Sequence, residues 1–318
     1  MNLFSPGFNY IDDMIKQIIS IPIVRIQDEH TEKYGVELYI KREDQTDPFI
    51  SGNKYRKLKY NLLYAAENGF ETLLTFGGAY SNHIHAVAYA GFKFGFKTIG
   101  IIRGEETKPL NPTLEDAASF GMEFHYISRA EYRRKVEEDF IDRLRAKFGN
   151  FYLIPEGGSN TLAVKGCTEI LSDSDDHFDH ICCACGTGGT IAGVIAGLDG
   201  EKNIWGFPVL KNGEFLKKEI SSLIHSYNSS SYKNWDLITD FHFGGYAKYN
   251  YDLIAFINRF KKNHGIQLDP IYTGKMLFGV YANIKNRFFN PGEKILAIHT
   301  GGLQGIRGFN ERYGKLII

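Results

Sequence analysis

Hydrophobic positions along the chain fall into short runs of strand length that alternate with stretches of helical spacing. ELYIK (37–41) reads as a strand, Leu58, Leu62 and Ala65 mark one face of a helix closed by Gly69, and ETLLTF (71–76) reads as a strand again. The alternation continues through a helix at 83–94, a strand at 97–102, a helix at 112–121, a strand at 123–127 and a charged amphipathic helix at 130–148. Strand FYLIPEG, a helix near 161–171, strand HICCAC, an Ala- and Gly-rich helix from Thr190 and strand NIWGFPV follow. Helices near 213–225 and 249–264 precede a last strand, KILAIHT. Such β-α alternation predicts an α/β fold with open, mainly parallel sheets covered by helices on both faces, and ligands collecting at the carboxyl ends of the strands. The Ser-rich stretch SYNSSSYKN (226–234) reads as a surface loop.

Length and charge narrow the picture. The 318 residues, 43% of them hydrophobic, are enough for one large α/β unit or two lobes sharing a cleft. Lys plus Arg and Asp plus Glu balance at 37 each, so no field of either sign attracts nucleic acid or an anionic membrane. MNLFSPGFNYIDDMIKQ lacks a basic region followed by an apolar core, and no run of about 18 apolar residues occurs, which predicts a cytoplasmic protein. Three of the four cysteines, Cys182, Cys183 and Cys185, crowd one strand, and Cys167 stands apart. That spacing suits neither a disulfide framework nor a metal site, even with His177 and His180 upstream, because Cys182 and Cys183 point to opposite faces. Buried, reduced cysteines and no metal are the expectation.

Four strand-to-loop transitions carry candidate chemistry. In SGNKYRKLKY, Lys54 follows a Ser-Gly-Asn turn and opens a helix that also bears Arg56, Lys57 and Lys59. If the Gly52 turn directs Lys54 inward, the positive end of the helix dipole favours its neutral amine; the plainer alternative is a solvated basic face. In GGAYSNH, Ser81 and Asn82 stand where they can cap a helix or hydrogen-bond a ligand, whereas His83 and His85, two apart, face different ways and suit no shared metal. The loop Gly186-Thr187-Gly188-Gly189-Thr190, between a strand and a helix, offers bare backbone N–H groups and a helix N-terminus to a phosphate. It is neither G-x-G-x-x-G nor a Walker A sequence, so a single terminal phosphate suits it better than a nucleotide; tight helix packing is the structural alternative. Late in the chain, Tyr246, Tyr272 and Thr300 lie beside or near glycines.

The order and wording of these segments resemble the D-cysteine desulfhydrase and 1-aminocyclopropane-1-carboxylate deaminase family, within the tryptophan-synthase-β-like pyridoxal-phosphate fold. The resemblance runs from about Pro22 to Gly302 and rests on KRED (41–44), SGNKYRKL (51–58), GGAYSNH (77–83), PEGGSN (155–160), the glycine loop, DPIYTGK (269–275) and HTGG (299–302). It implies pyridoxal 5'-phosphate as cofactor, held as a Schiff base on Lys54, with Asn82 beside the phenolic oxygen, Gly186 to Thr190 around the phosphate, and Asn53 and Thr300 as further contacts. It also implies Ser81 at the substrate carboxylate, Tyr246 and Tyr272 as the active-site tyrosines, and Thr273 facing the pyridine nitrogen. The deaminase proper has a glutamate at position 273 and a leucine at 300. Two threonines there imply a weaker electron sink and favour β-elimination, most simply of D-cysteine to pyruvate, ammonia and hydrogen sulfide, over opening a cyclopropane ring. Another deaminase or lyase acting on a small amino acid, and a non-catalytic binder of phosphate or cofactor, are the alternatives. The sequence departs from the family at Tyr80, at Leu303-Gln304-Gly305 and after Tyr246. The resemblance further implies a homodimer of two-lobed subunits, with a large domain of residues 1–56 and 166–318 and a small domain of residues 57–165.

Overall fold

A computed structural model describes residues 21–172, 175 and 177–318. The N-terminal stretch read above for a targeting signal lies outside the described residues.

The chain begins with β1 (Ile23–Ile26), α1 (Glu29–Tyr34) and β2 (Glu37–Lys41), then passes through α2 (Asn53–Glu67) into a second sheet. There β3 (Thr72–Gly78), α3 (Asn82–Phe94), β4 (Lys97–Arg103), α4 (Pro112–Ser119), β5 (Glu123–Ile127), α5 (Arg129–Tyr132), α6 (Glu138–Phe148) and β6 (Tyr152–Ile154) follow one another. α7 (Thr161–Thr168) leads back to β7 (His180–Cys185), α8 (Gly189–Gly197), β8 (Asn203–Pro208), α9 (Leu216–Asn228) and β9 (Trp235–Leu237). α10 (Tyr251–His264), α11 (Thr273–Lys285), β10 (Lys294–Ile298) and α12 (Gly305–Tyr313) complete the fold. The larger sheet has six strands in the order β1-β2-β10-β7-β8-β9 and the smaller has four in the order β5-β4-β3-β6. All neighbours are parallel except β1 and β2.

The alternation of side chains fixes both cores. Cys182 and Ala184 join a cluster with Ile257 and Leu277 on one face of the large sheet, and Cys183 and Cys185 join Ile191 and Ile220 on the other. All four cysteines are buried and free. In β3, Leu73 packs toward Leu62 and Ile84, while Leu74 and Phe76 pack toward Tyr132 and Phe140. A layer of helices therefore covers each face of each sheet, as the α/β reading requires.

The limits expected for the small domain, 56/57 and 165/166, fall inside α2 and α7. These two helices carry the chain between sheets and touch without a side chain between them: a Cβ on Gly166 would lie 1.9 Å from the carbonyl oxygen of Arg56.

The helix expected at 130–148 is interrupted. Its two apolar patches, Tyr132 and the set Phe140, Ile141 and Leu144, both pack on the small sheet, and Tyr132 and Phe140 both meet the Phe76 ring. At 3.6 residues per turn, eight residues overshoot whole turns by about 80°, so an unbroken helix turns one patch away. The break re-phases them, with Arg134 closing on Glu137 at 2.6 Å. β1, α1, β9, α11 and α12 are further elements beyond those expected from the pattern.

Candidate active site

A cleft of about 870 Å³ opens between the two sheets, lined by Lys54, Ser81, Asn82, Gly186, Thr187, Gly188, Thr190, Tyr246, Tyr272 and Thr300 among others. The carboxyl ends of β3, β7 and β10 all feed it, which follows from the parallel order of the strands.

Lys54 owes its position to Gly52. That residue has φ 64° and ψ −143° and serves as N-cap of α2, and a Cβ there would lie 2.0 Å from the Thr300 carbonyl oxygen. The same carbonyl accepts the Asn53 N–H at 3.2 Å, so the HTGG turn after β10 docks directly on the start of the lysine's helix. Lys54 Nζ donates to the Gly157 carbonyl at 3.1 Å and has no carboxylate partner among the described residues. Its pKa is held well below the ordinary lysine value, first by burial and then by the charge of Lys57. The helix dipole, worth at most about 1 kcal/mol or under one pKa unit in ordinary settings, is too small to dominate that effect. Burial, and not the dipole invoked from sequence, is the main cause of this depression.

The solvated basic face is likewise absent. Arg56 forms a paired contact with the Glu43 carboxylate at 2.9 and 3.0 Å, and Lys59 meets Glu169 at 2.6 Å. Lys57 is fully buried, and its Nζ donates to Gly157 O and Ser159 Oγ, each at 3.0 Å. Sequence reasoning missed Lys57, although its place one turn after Lys54 puts it on the same side of α2.

The glycine loop joins β7 to α8. Gly188, at φ 79°, is the N-cap of α8, whose first N–H groups receive no side-chain cap. Around it, Ser159 Oγ and Thr187 Oγ1 lie 2.6 Å apart and Asn53 Nδ2 donates to Thr190 Oγ1 at 2.7 Å. Lys57 Nζ would lie 2.9 Å from a Cβ on Gly189. An open helix N-terminus, hydroxyls and a buried cation behind the loop fit a phosphate dianion. A Cβ on Gly188 would stand 2.7 Å from Cγ1 of the buried Ile220. Gly188→Ala is therefore expected to weaken binding of pyridoxal phosphate by about tenfold or more, the equivalent of about 1–3 kcal/mol of backbone strain. Fluorescence titration of cofactor-free protein measures this, and unchanged affinity means the loop does not hold the phosphate.

The opposite wall is built by α3. Ser81 caps it, its Oγ accepting the N–H groups of His83 and Ile84, which leaves the hydroxyl proton for a ligand. The Asn82 Oδ1 is buried with no partner, an orphaned polar atom of the kind a bound ring substituent satisfies. His83 and His85 diverge as expected: His83 Nε2 contacts Thr75 Oγ1 at 2.9 Å and His85 faces Asp116 at 3.5 Å. Among the described residues no cluster of three or more His, Cys, Asp or Glu could hold a metal ion.

Tyr246 and Tyr272 meet edge to face, with centroids 6.1 Å apart. Burial raises the Tyr272 phenol, and the interaction with the Tyr246 hydroxyl raises it further, to well above the ordinary value; Tyr246 itself is 39% exposed. Thr300 lies on the cleft wall, and among the described residues its hydroxyl has no hydrogen-bond partner. Thr273 differs from expectation. It is fully buried behind the wall, and its Oγ1 donates to Asp269 Oδ2 at 2.6 Å. Asp269 spends its carboxylate on capping α11, accepting the N–H groups of Ile271, Tyr272 and Thr273, and Thr273 is drawn into that cap. Gly189 is also off the wall, turned toward Ser159 and Lys57.

Residues 16–301 match the family model described as pyridoxal-phosphate dependent enzyme. The chain belongs to this family. As a pyridoxal-phosphate enzyme it takes that cofactor, and the cleft described above supplies an amine, a phosphate cradle and an orphaned amide suited to it. A Thermotoga maritima protein provisionally named 1-aminocyclopropane-1-carboxylate deaminase is 35% identical over 292 residues, 87% of this chain and 92% of its own length. The mitochondrial bifunctional D-cysteine desulfhydrase/1-aminocyclopropane-1-carboxylate deaminase of Arabidopsis thaliana is 32% identical, covering 86% of this chain and 74% of its own. The crystal structure of a 1-aminocyclopropane-1-carboxylate deaminase homologue superimposes with a TM-score of 0.83 at 28% identity, over 99% of this chain and 100% of its own. The two-lobed fold of the enzyme is thus that of the deaminase and desulfhydrase relatives.

Proposed function

We propose that the enzyme eliminates the β-substituent of a small amino acid, with D-cysteine the simplest substrate, giving pyruvate, ammonia and hydrogen sulfide with uptake of one water. The observation that carries this reading is the polar partner available to the cofactor ring. Thr300 offers a neutral hydroxyl on the cleft wall, and the buried Asp269 carboxylate is already committed to the start of α11. A neutral partner leaves the ring nitrogen unprotonated and the sink weak, which is sufficient to expel a good leaving group such as thiolate. The sequence placed this role on Thr273; the geometry supports Thr300.

Pyridoxal phosphate supplies, when bound, a conjugated acceptor that acidifies the α-hydrogen of an attached amino acid. Lys54 would hold the cofactor, and its amine would act as base toward the α-proton, a role that its depressed pKa supports. Ser81 would donate to the substrate carboxylate, Asn82 would hydrogen-bond the phenolic oxygen, and Gly186 to Thr190 with Asn53 and Lys57 would hold the phosphate. Burial holds the Tyr272 phenol well above its ordinary value, so it stays protonated and donates a hydrogen bond to the leaving group, with Tyr246 alongside. Arg103, Arg129, Lys248 and Arg312 line the cleft without an ion pair among the described residues, which supports a substrate bearing a carboxylate.

The second reading, 1-aminocyclopropane-1-carboxylate deaminase, rests on the names of the relatives. Supplying both compounds to purified enzyme separates the two. Sulfide and pyruvate from D-cysteine, with little 2-oxobutanoate from the cyclopropane, support elimination; the reverse ratio replaces it with the deaminase. The small domain of residues 57–165, a homodimer and a cytoplasmic location belong to the same proposal. No helix among the described residues is long and apolar enough to cross a membrane.

A further inference from the structure

Lys275 is almost fully buried in the first turn of α11, three residues after Tyr272. Its Nζ donates to two backbone carbonyls, His242 O at 2.9 Å and Gly245 O at 2.8 Å. Those oxygens belong to consecutive turns: His242 O also accepts the Gly245 N–H at 3.0 Å, and Gly245 O accepts the Lys248 N–H at 3.1 Å. Tyr246 lies in the second of these turns. The segment has no regular structure, and Phe243, Gly244, Gly245 and Ala247 all take positive φ, at 54°, 93°, 118° and 55°. Two of these are not glycine, so the loop adopts a costly backbone that external contacts have to sustain. Two further contacts among the described residues brace this segment: His242 Nδ1 accepts the Gly244 N–H at 2.9 Å, and the Phe243 ring meets Phe278 of α11 edge to face at 5.0 Å.

We infer that Lys275 is a positioning residue for the reaction, a buried ammonium that clamps the Tyr246 loop onto the helix carrying Tyr272 and so sets the geometry of the tyrosine pair. The inference rests on the reading of Tyr246 as part of the active site. Among the described residues no carboxylate contacts Nζ, and burial brings its pKa down to about 8 despite Asp269, so the ammonium is retained at a desolvation cost that a purely space-filling lysine does not require. Its carbonyl partners use the donors of a lysine and offer nothing to an apolar replacement of similar length.

A double-mutant cycle in the holoenzyme tests this. Lys275→Met is expected to lower kcat by about 10–100-fold with KM within about threefold, because a misplacement near 1 Å costs on that order. Lys275→Gln, which keeps an N–H donor and removes the charge, falls between and provides the measurement should the Met variant not fold. In a Tyr246→Phe background the same Lys275 replacement costs less than about twofold, since the group through which it acts is gone. Hydrogen exchange of the holoenzyme is expected to show faster exchange confined to residues 239–250. Equal losses in both backgrounds, or unchanged exchange in that segment, overturn the role of Lys275. Full kcat in Tyr246→Phe alone overturns the reading of Tyr246, and the inference with it.

Discussion

Lys54→Ala lowers turnover at least about 10³-fold and removes the near-visible absorbance of the cofactor, while leaving the fold intact. The size follows if Lys54 is, as proposed, both the attachment point and the α-proton base, when general-base catalysis alone contributes about 10²–10⁴-fold. The fold survives because Lys54 makes one hydrogen bond, to a carbonyl that Lys57 also serves, and pairs with no carboxylate. Absorbance of the reconstituted variant, pyruvate release and circular dichroism measure the three parts. Lys57 is the control: it reaches the same Gly157 carbonyl, so loss of the band in Lys57→Ala with retention in Lys54→Ala reassigns the attachment. Lys57→Ala is otherwise expected to weaken cofactor affinity and keep the band.

Gly52→Ala is the most damaging substitution expected at a residue that touches no substrate. Its φ of 64° with ψ −143° is a conformation that side chains rarely adopt, and its Cβ would stand 2.0 Å from the Thr300 carbonyl oxygen and 2.8 Å from Gly301 N. Neither atom can step aside. His299 holds that turn, its Nε2 against Gln267 O at 2.7 Å and its Nδ1 accepting the Gly301 N–H at 3.2 Å. Backbone strain and overpacking together cost about 3 kcal/mol, so thermal unfolding is expected roughly 4–5 °C lower. The affected contact joins Lys54 to Thr300, so cofactor binding falls as well. A Tm within about 2 °C of the parent shows that α2 and the HTGG turn do not depend on this contact.

The glycine loop stood out because it directly follows β7, where a parallel sheet exposes backbone and short polar side chains, whereas Tyr246 and Tyr272 lie in the segments before α10 and α11. The sheets were legible for a similar reason: a strand such as HICCAC is buried on both faces and reads as one apolar run. Chemistry that depends on distance between segments was not. Lys57 and Lys275 look like surface lysines in a row of letters. Only folding brings the first against Gly157 and Ser159, a hundred residues away, and the second against the turns around Tyr246. Thr273 shows the converse, since its position in DPIYTGK suggested a ring partner and a neighbour four residues earlier, Asp269, claimed its hydroxyl.

The sequence by itself determined the α/β alternation, the phosphate-type loop and the lysine at the head of its helix, because these follow from local periodicity and backbone chemistry. The tertiary structure alone decided which amines are taken out of water, which threonine faces the cleft and which lysine braces the tyrosines. Those outcomes depend on burial and on partners distant in the chain, and the desolvation of a charge is a property of the assembled site that no single segment carries.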